Sequence, residues 1–298
     1  MEAKTLKKYN YWQWRTLIIL MVGYALFYFV RKNFSIAMPA LEAELGITKT
    51  KLGLFLTLNG VIYGVSRLVN GFLSDRIANK KGLMALGLLL SAIVNIFIGF
   101  IPDVNAFFNV LDTEGKATMG FIYLMGSLWL INGWLQGMGY PPCSSLMAHW
   151  IRPSELATKQ SLWNASHSIG AGLLSLLIGA ILGNFSNAAW QWCFWVPAIL
   201  AIFGAAMIFF GLRNEPHTVG LPSVEEIDRE YSGAAGEKKE EVAESPELTR
   251  RIYKRSISEM VLKNPIIWII SIADFFVYII RFTILDWGST ILTQVKGM

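Results

Sequence analysis

Five side chains with basic groups, Arg31, Lys32, Arg67, His167 and Arg281, sit inside long apolar runs, and Asp274 lies in the same run as Arg281. A charged Arg or Lys at the centre of a bilayer costs about 2.5–3.5 kcal/mol on insertion scales, so each must face a polar cavity or a partner. The spacing around Arg31 narrows the choice. Tyr24, Tyr28, Arg31 and Ser35 fall at intervals that share one helical face. Asp274, Tyr278 and Arg281 repeat that arrangement late in the chain. Two guanidinium groups converging on one cavity repel each other. A phosphate dianion between them removes the repulsion, because Arg holds phosphate through two parallel hydrogen bonds. The competing explanations are snorkelling to an interface and an Arg281–Asp274 pair. The chemistry indicated is anion binding, with no bond broken.

The neighbouring groups extend the picture. Lys32 follows Arg31 directly, so it points about 100 degrees away and either lines the cavity edge or snorkels. Arg67 shares a face with Asn59 and Tyr63, and either adds positive potential or pairs with an acid near the helix end. Asn164, His167 and Ser168 form a polar patch, and a histidine there either donates to phosphate or packs against a neighbouring helix. Asn132, Gln136 and Tyr140 mark another polar face. Asp75 and Arg76, in a short charged loop with Lys80 and Lys81, are candidates for a conformational gate. Cys143 and Cys193 lie in apolar runs and predict neither a disulfide framework nor a metal site. No cofactor is implied. The basic residues are scattered between apolar segments, which argues against nucleic acid as a partner.

The elements that carry these residues are membrane spans. Hydrophobic residues make up 54% of the chain and charged residues 16%, against about 25% in a soluble domain. Seven spans are predicted, at about 15–40, 51–73, 83–101, 118–149, 160–183, 190–211 and 265–292, each near or above the length of about 20 residues that crosses the hydrocarbon core. Pro141 and Pro142 are expected to bend the fourth. The basic N-terminus and first span are read as a retained helix rather than a cleaved signal. Lys4, Lys7, Lys8 and Arg15, then Arg76, Lys80 and Lys81, then Arg152 and Lys159 collect on one side, against Lys49, Lys51 and Lys116 on the other. That bias places the N-terminus in the cytoplasm. The polar stretch 212–263 reads as a partly flexible linker, with the basic run Arg250–Arg255 either solvated or lying along an anionic leaflet. The expected organisation is therefore a six-helix bundle over 1–211, a linker over 212–263, and the first helix of a second half over 264–298. Tyr28–Arg31 and Tyr278–Arg281 then mark corresponding first helices of two halves. Five further spans would complete such a protein.

The loop Gly71, Asp75, Arg76 and Lys80 resembles the G-x-x-x-D-R-x-x-x-[RK] element of the major facilitator superfamily. Longer stretches, Gly23–Phe34, Gly133–Cys143 and Arg281–Trp287, resemble the organophosphate:phosphate antiporter branch. The resemblance implies an all-α polytopic fold, with Arg31 and Arg281 as the paired essential arginines. His167, Arg67, Tyr24 and Tyr28 then match further site positions, while Lys32 and Tyr278 complete the candidate binding set. It implies import of a sugar phosphate or other small organophosphate, hexose phosphate ahead of glycerol phosphate, in exchange for inorganic phosphate. Alternating access would proceed in a bacterial inner membrane, and the full-length protein would be a monomer and not an enzyme. The alternative that it implies is a hexose-phosphate receptor signalling through a partner histidine kinase.

Overall fold

The computed structural model describes residues 3–184, 189–232 and 263–296, and the architecture among them is all-α. Six helices there are long and apolar enough to cross a membrane. In chain order, the main helices are α1 (Ala3–Leu45), α2 (Lys49–Arg76), α3 (Lys80–Gly99), α4 (Met119–Gln136), α5 (Tyr140–Trp150), α6 (Pro153–Asn184), α7 (Ala189–Gly211), α8 (Val224–Ser232) and α9 (Pro265–Lys296). α1 packs on α6 and α7, α3 on α4 and α7, α2 on α4, and α9 mainly on α1. Close approach carries much of this packing, since lipid gives helices little hydrophobic reason to associate. At Gly170 of α6, a Cβ would sit 2.9 Å from the Ala25 backbone of α1.

Two expectations change. The fourth predicted span, 118–149, is two helices, broken at Gly137–Gly139. The last carbonyls of α4 are bonded three residues on, with Gly137, Met138 and Gly139 donating to Trp134, Leu135 and Gln136. Pro141 and Pro142 therefore do not kink a continuous helix. They occupy the first turn of a new one, where a missing N–H costs nothing. The second concerns residues 212–232, at the start of the stretch read as a partly flexible linker, part of which packs onto the bundle. Leu221, Val224 and Ile227 are buried with Tyr9 and Trp150. Lys8 Nζ donates to the Val219 carbonyl at 2.6 Å and Trp150 Nε1 to that of Arg213 at 2.8 Å. The basic run 250–255 lies outside the described residues.

α1 organises the whole. Its 43 residues extend about 65 Å, more than twice the hydrocarbon thickness of about 30 Å. One apolar cluster surrounds its first half, with Tyr24, Phe27, Leu146 and Trp163. Another surrounds its second half, where Phe34 stacks on Trp129 at 4.6 Å. Arg31 falls where the two clusters meet along the helix.

Candidate functional site

Arg31 is held by a chain of polar contacts that runs through the bundle. Its Nε donates to Gln136 Oε1 of α4 at 3.0 Å. Gln136 Nε2 donates to Ser91 Oγ of α3 at 2.7 Å, and Ser91 in turn bonds Asn132. Asn132 Nδ2 reaches back to the Val30 carbonyl of α1 at 2.9 Å, beside the arginine it helps to position. Asn33 and Asn95 pair at 2.8 Å and brace the same level. The guanidinium lies over the rings of Tyr63 and Tyr28, 4.3 and 5.0 Å from their centroids. Its Nη2 is buried and has no hydrogen-bond partner among the described residues. A guanidinium has five N–H donors and no acceptor, so that orphan calls for an oxygen ligand.

Two cavities of about 340 and 290 Å³ meet here, sharing Arg31, Gly60, Tyr63 and Phe282. Tyr24, Tyr28, Arg67, His167 and Tyr278 line the second. Lys32 lines the first and is 6% exposed, so it does not snorkel. It pairs with Asp286 of α9, which also accepts from Ser35 Oγ at 3.0 Å. The His167 ring packs against Tyr28 at 5.4 Å, and the fields of both Arg281 and Arg31 reach it. Arg67 caps the Tyr140 ring at 3.8 Å.

The structure separates some groups that the spacing unites. Arg281 lies in a neighbouring hollow between α6 and α9, with Ser168, Ser175 and Leu285, and its Nη2 reaches Ser168 Oγ at 3.4 Å. It does not pair with Asp274, which lies seven residues earlier on the same helix, about 10 Å along the axis. Asp75 and Arg76 are exposed at the end of α2 and form no ion pair among the described residues. Asp75 lines a third hollow with Arg67 and Tyr140.

Beyond the bracing residues Ser91, Asn33 and Asn95, three groups that line the cavities escaped the sequence reading. Asp286 supplies the carboxylate for Lys32, and an acid within an apolar span already demands a cation. Trp163 and Phe282 line the cavity as aromatic walls, and nothing in the pattern separates them from ordinary apolar residues.

Residues 20–298 match the family model described as Major Facilitator Superfamily. The chain is 38% identical to a glycerol-3-phosphate transporter of Bacillus subtilis over 99% of its own length and 61% of that protein. It is 35% identical to a probable hexose phosphate transport protein of Chlamydia pneumoniae, over 97% of this chain and 59% of the relative. It is 33% identical to a membrane sensor protein of Salmonella typhimurium, over 98% and 59%. The chain thus spans about three fifths of the length of these curated relatives. Membrane-length helices, a cationic polar interior and these matches lead to one conclusion: the chain is an integral membrane protein of the Major Facilitator Superfamily.

Proposed function

We propose that the full-length protein imports a small organophosphate in exchange for inorganic phosphate, and that Arg31 is the principal phosphate ligand. The observation that carries this reading is the orphaned, buried Nη2 of Arg31 in a cavity lined by Lys32, Arg67 and His167. Asp286 is the carboxylate lining that cavity, and Lys32 and Ser35 already engage it. The cavity therefore has a net positive character, which suits a dianion. Lys32, Arg67 and His167 add positive potential or hydrogen bonds, while Tyr24, Tyr28 and Tyr278 supply hydroxyls and ring faces. The printed functions of the relatives, glycerol phosphate and hexose phosphate transport, support the substrate class.

Movement follows from how α9 engages the bundle. Most of its apolar side chains are exposed along its length, and the contacts of Asp286 with Lys32 and Ser35 of α1 and of Trp287 with Gly53 of α2 fall in its later turns. Those contacts support a reading in which closure lies on the side remote from the N-terminal end, with Arg281 short of the main cavity. A phosphate at Arg31 attracts Arg281 on α9, and that differential attraction is what shifts one arrangement toward the other. With the N-terminus cytoplasmic, the described arrangement is the inward-facing one.

The test is exchange into phosphate-loaded proteoliposomes by the full-length protein, with glycerol 3-phosphate and glucose 6-phosphate outside. Saturable, counter-phosphate-dependent uptake is expected. Ligand binding without exchange would instead favour a sensor, the reading supported by the similarity to the Salmonella protein, with a histidine kinase as its partner.

A further inference from the structure

On the outer surface, away from the cationic cavity, the first turns of α3 and the last turns of α7 enclose a groove of about 620 Å³. Leu83, Leu86, Leu89, Ile202, Phe209 and Phe210 give it apolar walls, and Asn79 is the polar side chain of its lining. From Asn79 to Leu89 the groove follows ten residues of helix, about 15 Å. That is half of a hydrocarbon core of about 30 Å, the depth of one leaflet.

Its polar end carries an uncompensated cluster of cations. Lys81 Nζ donates to the Phe209 carbonyl at 2.9 Å and lies 5.2 Å from the Phe209 ring centroid. An ammonium has three donors, so two remain for another acceptor. Arg213 lies close enough for its field to reach Lys81, and its Nη1 donates to the Phe210 and Leu212 carbonyls. Lys80 adjoins them in the first turn of α3. Among the described residues, no carboxylate is within ion-pair distance of these three cations. Asp75 lines a different hollow, and Glu215 pairs with His217 at 2.9 Å.

We propose that this groove holds one anionic phospholipid from the leaflet on the N-terminal side. An acyl chain lies between α3 and α7, and the headgroup phosphate meets Lys80, Lys81 and Arg213. The length of a leaflet, an apolar wall and cations confined to one end together describe such a lipid. A free phosphate would use the cations and leave the groove empty.

Native mass spectrometry of the full-length protein, titrated with phosphatidylglycerol, phosphatidylcholine or inorganic phosphate, tests the assignment. Phosphatidylglycerol should be retained and phosphatidylcholine should not. Lys80→Gln with Lys81→Gln should weaken phosphatidylglycerol binding about 25-fold, from about fivefold per charge near a lipid surface. Ala206→Trp, at an exposed position in the groove wall, should block the chain while keeping every charge. Lys4→Gln with Lys7→Gln removes equal charge elsewhere at that end and should change nothing. Equal losses from the two double variants would overturn the proposal, as would normal binding by Ala206→Trp or displacement of the lipid by millimolar phosphate.

Discussion

α1 passes through two polar clusters built from similar residues, and they are wired in opposite ways. Near its N-terminal end, a carboxylate is central: Glu155 accepts from Gln13, Lys159 and Arg152, and Lys159 also donates to Gln13. Tyr9 adds a 2.8 Å bond to the Trp150 carbonyl. Half a helix further on, a cation is central. Arg31 is clamped by Gln136 on one nitrogen and left with a buried, unpartnered nitrogen on another. In the first cluster one carboxylate takes three donors, two of them cations. In the second the guanidinium keeps a nitrogen that no group among the described residues takes up, which is where the proposed phosphate would bind. The lesson is that burial of charge by itself does not separate structure from function; the second cluster differs in opening onto a cavity, which the first does not line.

Substitutions break or sharpen that contrast. Arg31→Gln should have the largest effect, a loss of about 30-fold or more in phosphate affinity. Truncating one partner of a buried, hydrogen-bonded charge pair costs about 2–5 kcal/mol. Isothermal titration of the full-length protein measures it, and retained affinity in folded protein would end the case for Arg31 as ligand. Arg281→Gln should slow exchange by about tenfold or more while weakening phosphate binding less, since Arg281 sits outside the main cavity in this arrangement. Comparing transport rate with equilibrium affinity separates the two, and an equal loss in both would place Arg281 on the phosphate in this arrangement as well.

Smaller effects probe the supports. Asp286→Asn releases Lys32 and loosens α9 from α1, so a cysteine at Ser35 should react faster with a membrane-impermeant maleimide. An unchanged rate would mean that the pair does not hold the closure. Ser91→Ala takes a partner from Gln136 and should weaken phosphate binding about fivefold, the worth of about one hydrogen bond near 1 kcal/mol. Glu155→Gln should leave phosphate affinity within about twofold but lower the melting temperature, because it removes the negative charge that Arg152 and Lys159 share and one of the two oxygens they bond. If Glu155→Gln abolished binding while the protein stayed folded, the two clusters would not be separable.

Much of the fold was legible beforehand because bilayer thickness imposes a length and apolarity that a one-dimensional pattern displays. Six described helices have that character. The broken α4–α5 element was not legible as such. Pro141 and Pro142 announce a disturbance, but whether proline bends a helix or begins one depends on the turn before it, here Gly137 packed against α2 and Gly139 against α1. Docking of residues 216–232 was hidden for another reason. Their composition is that of a polar linker, and it is Tyr9, Trp12 and Trp150, far away in sequence, that give Leu221 and Ile227 a surface to bury against.

The candidate site divides along the same line. Sequence by itself determined which charges are costly in a membrane and which faces Tyr24, Tyr28, Arg31 and Tyr278 share, because helical periodicity and transfer free energy are local properties. Only the tertiary structure decided that Lys32 is taken by Asp286, that Arg281 rests against Ser168, and that one nitrogen of Arg31 is left over. Those outcomes depend on side chains brought together from helices 100 to 250 residues apart. Hydrogen bonding acts over about 3 Å of space, and no spacing along the chain encodes that distance.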